Sequence, residues 1–248
     1  MAFQISLSSK EARIIREYKD GIPLKGPYEV GLKHFVFWNT IFNITEDNNT
    51  LHIFNPDRFE SNSTTLVKDE DRPKLVVINP GYYELDDIIE KIESNDDVRH
   101  SATVIKFSKY TFQIKISSEW IIDFSPKNSI GKLLGFSKQI IYPNVTARSD
   151  LPVDIFSINS IKIHCNLIRS NVEDFKRNVN ILYDFPLDCS KVGTKIIKEV
   201  NPICYYMVNT DTIYDLVITI TDQDNKLIDF RGELLNLTLH FRPITNNG

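Results

Sequence analysis

No run of apolar residues in this chain approaches the ~20 that a membrane-spanning helix needs, so nothing in it reads as a helical membrane segment. Cysteine is scarce: there are 3, Cys165, Cys189 and Cys204, far apart in sequence. An odd count without close spacing argues against a disulfide framework, and reduced, mostly buried thiols are expected. Glycine is scarce too, with 9 in 248 residues. Neither G-x-G-x-x-G nor a Walker A loop occurs, which leaves no phosphate cradle. No G-x-S-x-G nucleophile elbow is present. The five histidines, His34, His52, His100, His164 and His240, have no H-E-x-x-H or similar ligand spacing. His164 neighbours Cys165, but in a strand the two side chains point to opposite faces. No block of Lys and Arg stands out and the formal net charge is −4, so no nucleic acid is expected as a direct specific ligand. The residues from Met1 to Leu7 are too poor in apolar content for a signal peptide, and a protein made in cytosol or nucleus, not secreted, is expected. Without export, the sequons at Asn43, Asn48, Asn62, Asn144 and Asn236 read as chance matches in an Asn-rich chain.

What is abundant is aromatic and β-branched, with 15 Phe and 10 Tyr, residue types that favour strands. Strand signals recur along the chain. They cover 34–44, Thr50–Phe54, Lys74–Ile78, Ala102–Phe107, Thr111–Ile116 and Trp120–Phe124. In the second half they cover Ile158–His164, Asn180–Phe185, Ile203–Val208, Tyr214–Thr221 and Leu234–Phe241. Leu235, Leu237, Leu239 and Phe241 alternate with Asn236, Thr238 and His240, the period of a half-buried strand. Leu85, Ile88, Ile89 and Ile92 instead follow the i, i+3, i+4, i+7 spacing of a helix face. A second short helix is expected over Asn128–Leu134, closed by Gly135. Residues 55–73 are polar and turn-rich and read as a loop. Residues 1–31 read as an N-terminal arm or irregular segment, with a short helix over Lys10–Tyr18. Many short strands, few helices and no repeat point to an all-β chain, one β-sandwich or jelly roll over 32–248.

Two segments invite a chemical reading. Asp222, Asp224, Asp229 and Glu233 form an acidic cluster, yet the EF-hand glycine and glutamate positions are missing. A solvated hairpin turn is the plainer interpretation. Pro80-Gly81-Tyr82-Tyr83 supplies a turn followed by two amphipathic rings, which suit either local packing or an interface.

Several segments, taken in order, resemble one family. They are 28–32, 48–51, Pro80-Gly81-Tyr82-Tyr83-Glu84-Leu85-Asp86-Asp87-Ile88 and Leu133-Leu134-Gly135-Phe136, then 158–168, 180–187 and 208–213. The run Ile220-Thr221-Asp222-Gln223-Asp224-Asn225-Lys226-Leu227-Ile228-Asp229-Phe230-Arg231-Gly232-Glu233 is the strongest. Together they look like the penton (minor capsid) proteins of Polinton, or Maverick, elements and adintovirus-like viruses. The resemblance implies a single jelly roll, a homopentamer at icosahedral vertices, a virion location and the major capsid (hexon) protein as partner. It implies no catalytic residue, cofactor or metal. Length agrees: eight strands at ~8–12 residues each fill this chain, whereas two stacked jelly rolls would crowd it. Candidate intersubunit contacts are Tyr82, Tyr83, Leu134 and Phe136. The competing functions are a jelly-roll module binding a glycan or receptor, and a β-sandwich hydrolase.

Overall fold

Phe3, Ile5 and Leu7 alternate with Gln4, Ser6 and Ser8, and that period of two makes the first strand. The computed structural model describes residues 1–56, 73–137, 139–156, 158–169, 172–174, 177–188 and 192–244. The strands run β1 (Phe3–Ser9), β2 (Arg13–Pro23), β3 (Tyr28–Trp38), β4 (Thr50–Phe54) and β5 (Lys74–Val77). Two helices follow, α1 (Leu85–Glu93) and α2 (Asp96–His100). Next come β6 (Val104–Ser108), β7 (Gln113–Ser117), β8 (Ile121–Asp123), β9 (Ile140–Ile141) and β10 (Ala147–Arg148). The last stretch holds β11 (Ser160–Cys165), β12 (Val172–Asp174), β13 (Arg177–Val179), β14 (Ile181–Pro186), β15 (Lys195–Glu199), β16 (Tyr206–Met207), β17 (Thr212–Thr221) and β18 (Leu235–Pro243).

These elements fall into two compact units, one of residues 1–41 with 158–248 and one of 42–157. In the first, two antiparallel sheets carry the order β1-β18-β3-β15 and β14-β11-β17-β2, with β16 also on β3. The pairing is nested. β1 pairs with β18, β2 with β17, β3 with β15 and β11 with β14. That is one long antiparallel ribbon folded back on itself. Rolling it up adds the pairs β3–β18 and β11–β17. An eight-stranded ribbon rolled in this way is a jelly roll, so the fold class expected from the sequence holds.

Burial follows the alternation. Leu235, Leu237, Leu239 and Phe241 of β18 are enclosed, as are Leu216, Ile218 and Ile220 of β17. Four rings pack the centre: Phe37 lies 4.9 Å from Phe35 and 5.4 Å from Phe230, and Phe35 lies 6.3 Å from Phe185.

The second unit has its own core. β5-β4-β8-β9 form one sheet and β10-β7-β6 another. Leu51, Ile53, Val76, Ile122 and Ile141 face inward from the first, and Ile105, Ile114 and Ile116 from the second. Helix α1 adds Ile88 and Ile92, half of the apolar stripe read from the sequence. Its start carries a reciprocal cap: Glu84 binds the Asp87 backbone and Asp87 binds that of Glu84. Beyond a single 3₁₀ turn at Ile130–Lys132, shorter than the helix expected there, Gly135 adopts φ +81°.

Three expectations need correction. Residues 1–31 are not an arm: β1, β2 and the start of β3 are integral strands of the jelly roll. The Lys10–Tyr18 segment is mostly β2 rather than helix, because Ile14 is buried opposite Ile218 in the core while Arg13, Arg16 and Glu17 stay in solvent on an edge strand. Nor is 32–248 a single domain, since 42–157 buries a separate set of apolar side chains. The loop expected over 55–73 lies almost wholly outside the described residues, as does Cys189.

A Cβ on Gly135 would sit 2.2 Å from the Leu151 carbonyl oxygen, whereas one on Gly26, at φ +94°, would meet nothing. Gly26→Ala therefore carries only backbone strain, about 1–2 kcal/mol. Gly135→Ala carries the same strain plus a backbone clash, and at least about 2 kcal/mol more destabilisation is expected. Denaturant unfolding of the two variants side by side measures the difference.

Candidate assembly surfaces

The outer face of the β5-β4-β8-β9 sheet exposes apolar side chains at both edges. Register places Val77 opposite Thr50, Leu75 opposite His52, and Ile121 opposite Phe54. His52 continues across to Asp123, which faces Ile140. Leu75, Val77 and Ile140 are 50%, 53% and 46% exposed. Leu75 and Val77 form one exposed apolar pair at the β5 edge, with His52 and Asp123 between them and Ile140. In the jelly roll, Trp38 and Ile197 are exposed at one end of the β1-β18-β3-β15 face, and Ile197 pairs with Val36. The rest of that face is polar: Ser8 Oγ donates to Asn236 Oδ1 at 2.7 Å, and Ser6 and Thr238 hydroxyls lie 3.3 Å apart. At its other side Arg242 lies 3.6 Å over the Tyr205 ring and pairs with Glu29, while the Tyr205 hydroxyl meets His240 Nδ1 at 2.7 Å.

Tyr82 and Tyr83 sit half-buried after the Pro80-Gly81 turn. Tyr82 donates from its hydroxyl to Glu84 at 3.1 Å. Tyr83 packs on the core of the second unit. The Asn43 side chain holds its backbone from both directions, donating to the Tyr83 carbonyl at 2.7 Å and accepting from its N–H at 2.9 Å. Asn43 is buried in this role, which a sequence reading passed over as part of a sequon. Leu134 and Phe136 are fully enclosed in the same core, where Phe136 stacks on Phe124 at 4.7 Å. Their side chains therefore pack inward and present no surface to a neighbour, contrary to expectation.

The acidic segment near 222 serves the backbone. Asp222 is buried, and one of its carboxylate oxygens accepts from the N–H of Asp224 at 2.8 Å and of Lys226 at 2.9 Å. That is an Asx-type turn closing a tight hairpin. No group of three or more metal-ligating side chains gathers among the described residues. Cys165 is buried and its thiol is pushed up to about 12 by desolvation, whereas Cys204 is exposed, so the expectation of buried thiols fits only the first. His164 and Cys165 do point to opposite faces. The imidazole Nε2 meets the Thr221 hydroxyl at 2.8 Å on the outer side of the sheet.

No family model and no curated protein matches this sequence. Among solved structures, the crystal structure of the mavirus penton protein aligns over 98% of this chain and 100% of that chain, with TM-score 0.50 and 12% identity. The chain has a penton-like fold. An alignment of this extent runs through both units, the jelly roll and residues 42–157 alike. With so few identical positions, the likeness lies in the path of the backbone.

Desolvation, with Lys162 nearby, holds His164 below the ordinary histidine range, and His240 is lowered by desolvation with Lys33 and Arg242. A histidine depressed in the folded state takes its proton later than in the unfolded chain. The stability it contributes is complete above about pH 6.5 and is lost as pH falls through the folded value. The melting temperature should drop between about pH 7.5 and 5.5, and His164→Gln should shrink that drop in differential scanning fluorimetry.

Proposed function

We propose that this chain is a penton-type capsid protein: a structural, non-enzymatic subunit that closes the five-fold vertices of an icosahedral shell as a homopentamer. The observation that carries this reading is the nested eight-strand ribbon of one jelly roll, in a chain of which 98% aligns with a mavirus penton protein. A single roll exposes two sheet faces and two sets of loops, and five-fold closure needs one surface of a subunit to meet a different surface of the next. The apolar outer face around Leu75, Val77 and Ile140 and the Tyr82–Tyr83 turn supply contact surface of the kind that permanent assemblies bury. The second contact is the major capsid protein of the same element, and the destination is the virion. No nucleic acid is needed as a specific ligand in this role.

Light scattering coupled to size exclusion tests the proposal directly. The expected species has a mass close to five times 28.7 kDa. A chain that stays monomeric across the accessible concentration range, or that forms trimers, overturns the vertex assignment. Replacing Leu75 and Val77 together by Thr should shift the equilibrium toward smaller species while leaving the monomer fold intact, because both positions already face solvent.

A further inference from the structure

Three cations stand in one line across the β10-β7-β6 sheet. Arg148 is directly opposite Lys115, and Lys115 is directly opposite Lys106. All three are exposed, and among the described residues none is ion-paired to an acid. Their neighbours on the same face, Val104, Ser108, Gln113 and Ser117, carry no charge. Like charges directly opposite each other destabilise a sheet. Lys115 is flanked on both sides, so nothing within this face relieves it. A row of this kind fits an anionic partner.

Helix α1 carries the complementary pattern. Asp86, Asp87 and Glu90 are exposed on it, with Asp86 and Glu90 at i, i+4, a spacing at which like charges also repel. Three strands at about 4.8 Å spacing carry the cations across ~10 Å. Asp86 and Glu90 lie about 6 Å apart along the helix, whereas Glu93 is half-buried and its carboxylate accepts from the Ile105 N–H at 3.0 Å. The spacing between neighbouring charges is therefore similar in the two rows. Ile88 and Ile92 of the helix and Ile105, Ile114 and Ile116 of the sheet turn toward one core, so both charged sides face away from it. Two different complementary surfaces on one subunit are what a closed ring requires.

We propose that the Lys106–Lys115–Arg148 row docks the acidic face of α1 on a second copy of this chain; this rests on the ring assembly proposed above. An acidic protein surface suits the row better than a nucleic acid. The strand residues of the face include no aromatic side chain on which bases could stack, the exposed Tyr110 and Phe112 lying in the turn beyond its end, and the whole chain is net acidic.

Charge swapping decides the matter. Three full-length variants are compared with the wild type by sedimentation over a concentration series, at low and high salt. They are K106E/K115E/R148E, D86K/E90K and the combination of all five changes. Each patch reversal alone should weaken self-association by at least about tenfold, the combined swap should restore it, and high salt should weaken the wild type. Lys115→Gln, which removes the central repulsion, should raise the melting temperature of the monomer, showing that the row is not there for stability. If the wild type assembles and neither reversal changes it, this docking is wrong while the ring reading stands. If the wild type never self-associates, both fail together. Reversal that is not rescued by the swap removes α1 as the partner. Loss of duplex DNA binding with unchanged assembly assigns the row to nucleic acid and overturns the proposal.

Discussion

Antiparallel pairing between strands at opposite ends of the chain is the constraint on which everything else rests. Phe3 is opposite Phe241, and their rings stack at 4.8 Å. Each further pair of the ribbon lies inside the one before it, from β1–β18 down to β11–β14. Long-range pairing brings its reward only after a large loop has been closed. The cost of that closure grows slowly with length, about 0.6 kcal/mol for each doubling. A ribbon of this design can therefore carry a long excursion between β3 and β11, provided that the excursion satisfies its own backbone and buries its own apolar side chains. Residues 42–157 meet both conditions, with two sheets, two helices and a separate core.

The same alternation that fills the cores leaves two kinds of outer face. The jelly-roll face is mainly a ladder of Ser, Thr and Asn side chains bonded across strands, inert and well hydrated. The sheets of the inserted unit are different. One shows Leu75, Val77 and Ile140 to solvent; the other shows an uninterrupted cationic row. Neither arrangement helps a free monomer, since exposed apolar area and aligned like charges both work against it. Both arrangements lie on one unit, residues 42–157.

Much of the fold was legible in the sequence. Alternation in β18 gave its buried residues correctly, and the stripe from Leu85 to Ile92 gave α1. The strand order was not legible, because no local pattern says that the first strand pairs with the last. The N-terminal strands were missed for a clear reason. Lys10–Tyr18 has helix-favouring residues, and only its place beside β17 turns it into a strand. The insertion was missed because its strands share the style of the rest, without a linker or composition shift at 42 or 157. Among the site residues, Leu134 and Phe136 look the same in sequence whether they face a neighbour or a core. The cationic row was invisible for a related reason. Lys106, Lys115 and Arg148 are scattered along the chain, and register alone aligns them.

The insertion also has a bearing on how such a chain can change over generations. Its two crossings into the jelly roll lie where one strand has ended and the next has yet to begin, and its core shares no residue with the other. Recombination at those two points would exchange the whole unit while leaving every pair of the ribbon in place. A lineage could thus renew its outward chemistry by transplantation rather than by point mutation. The jelly roll would be inherited almost unchanged in shape even after its sequence had drifted beyond recognition.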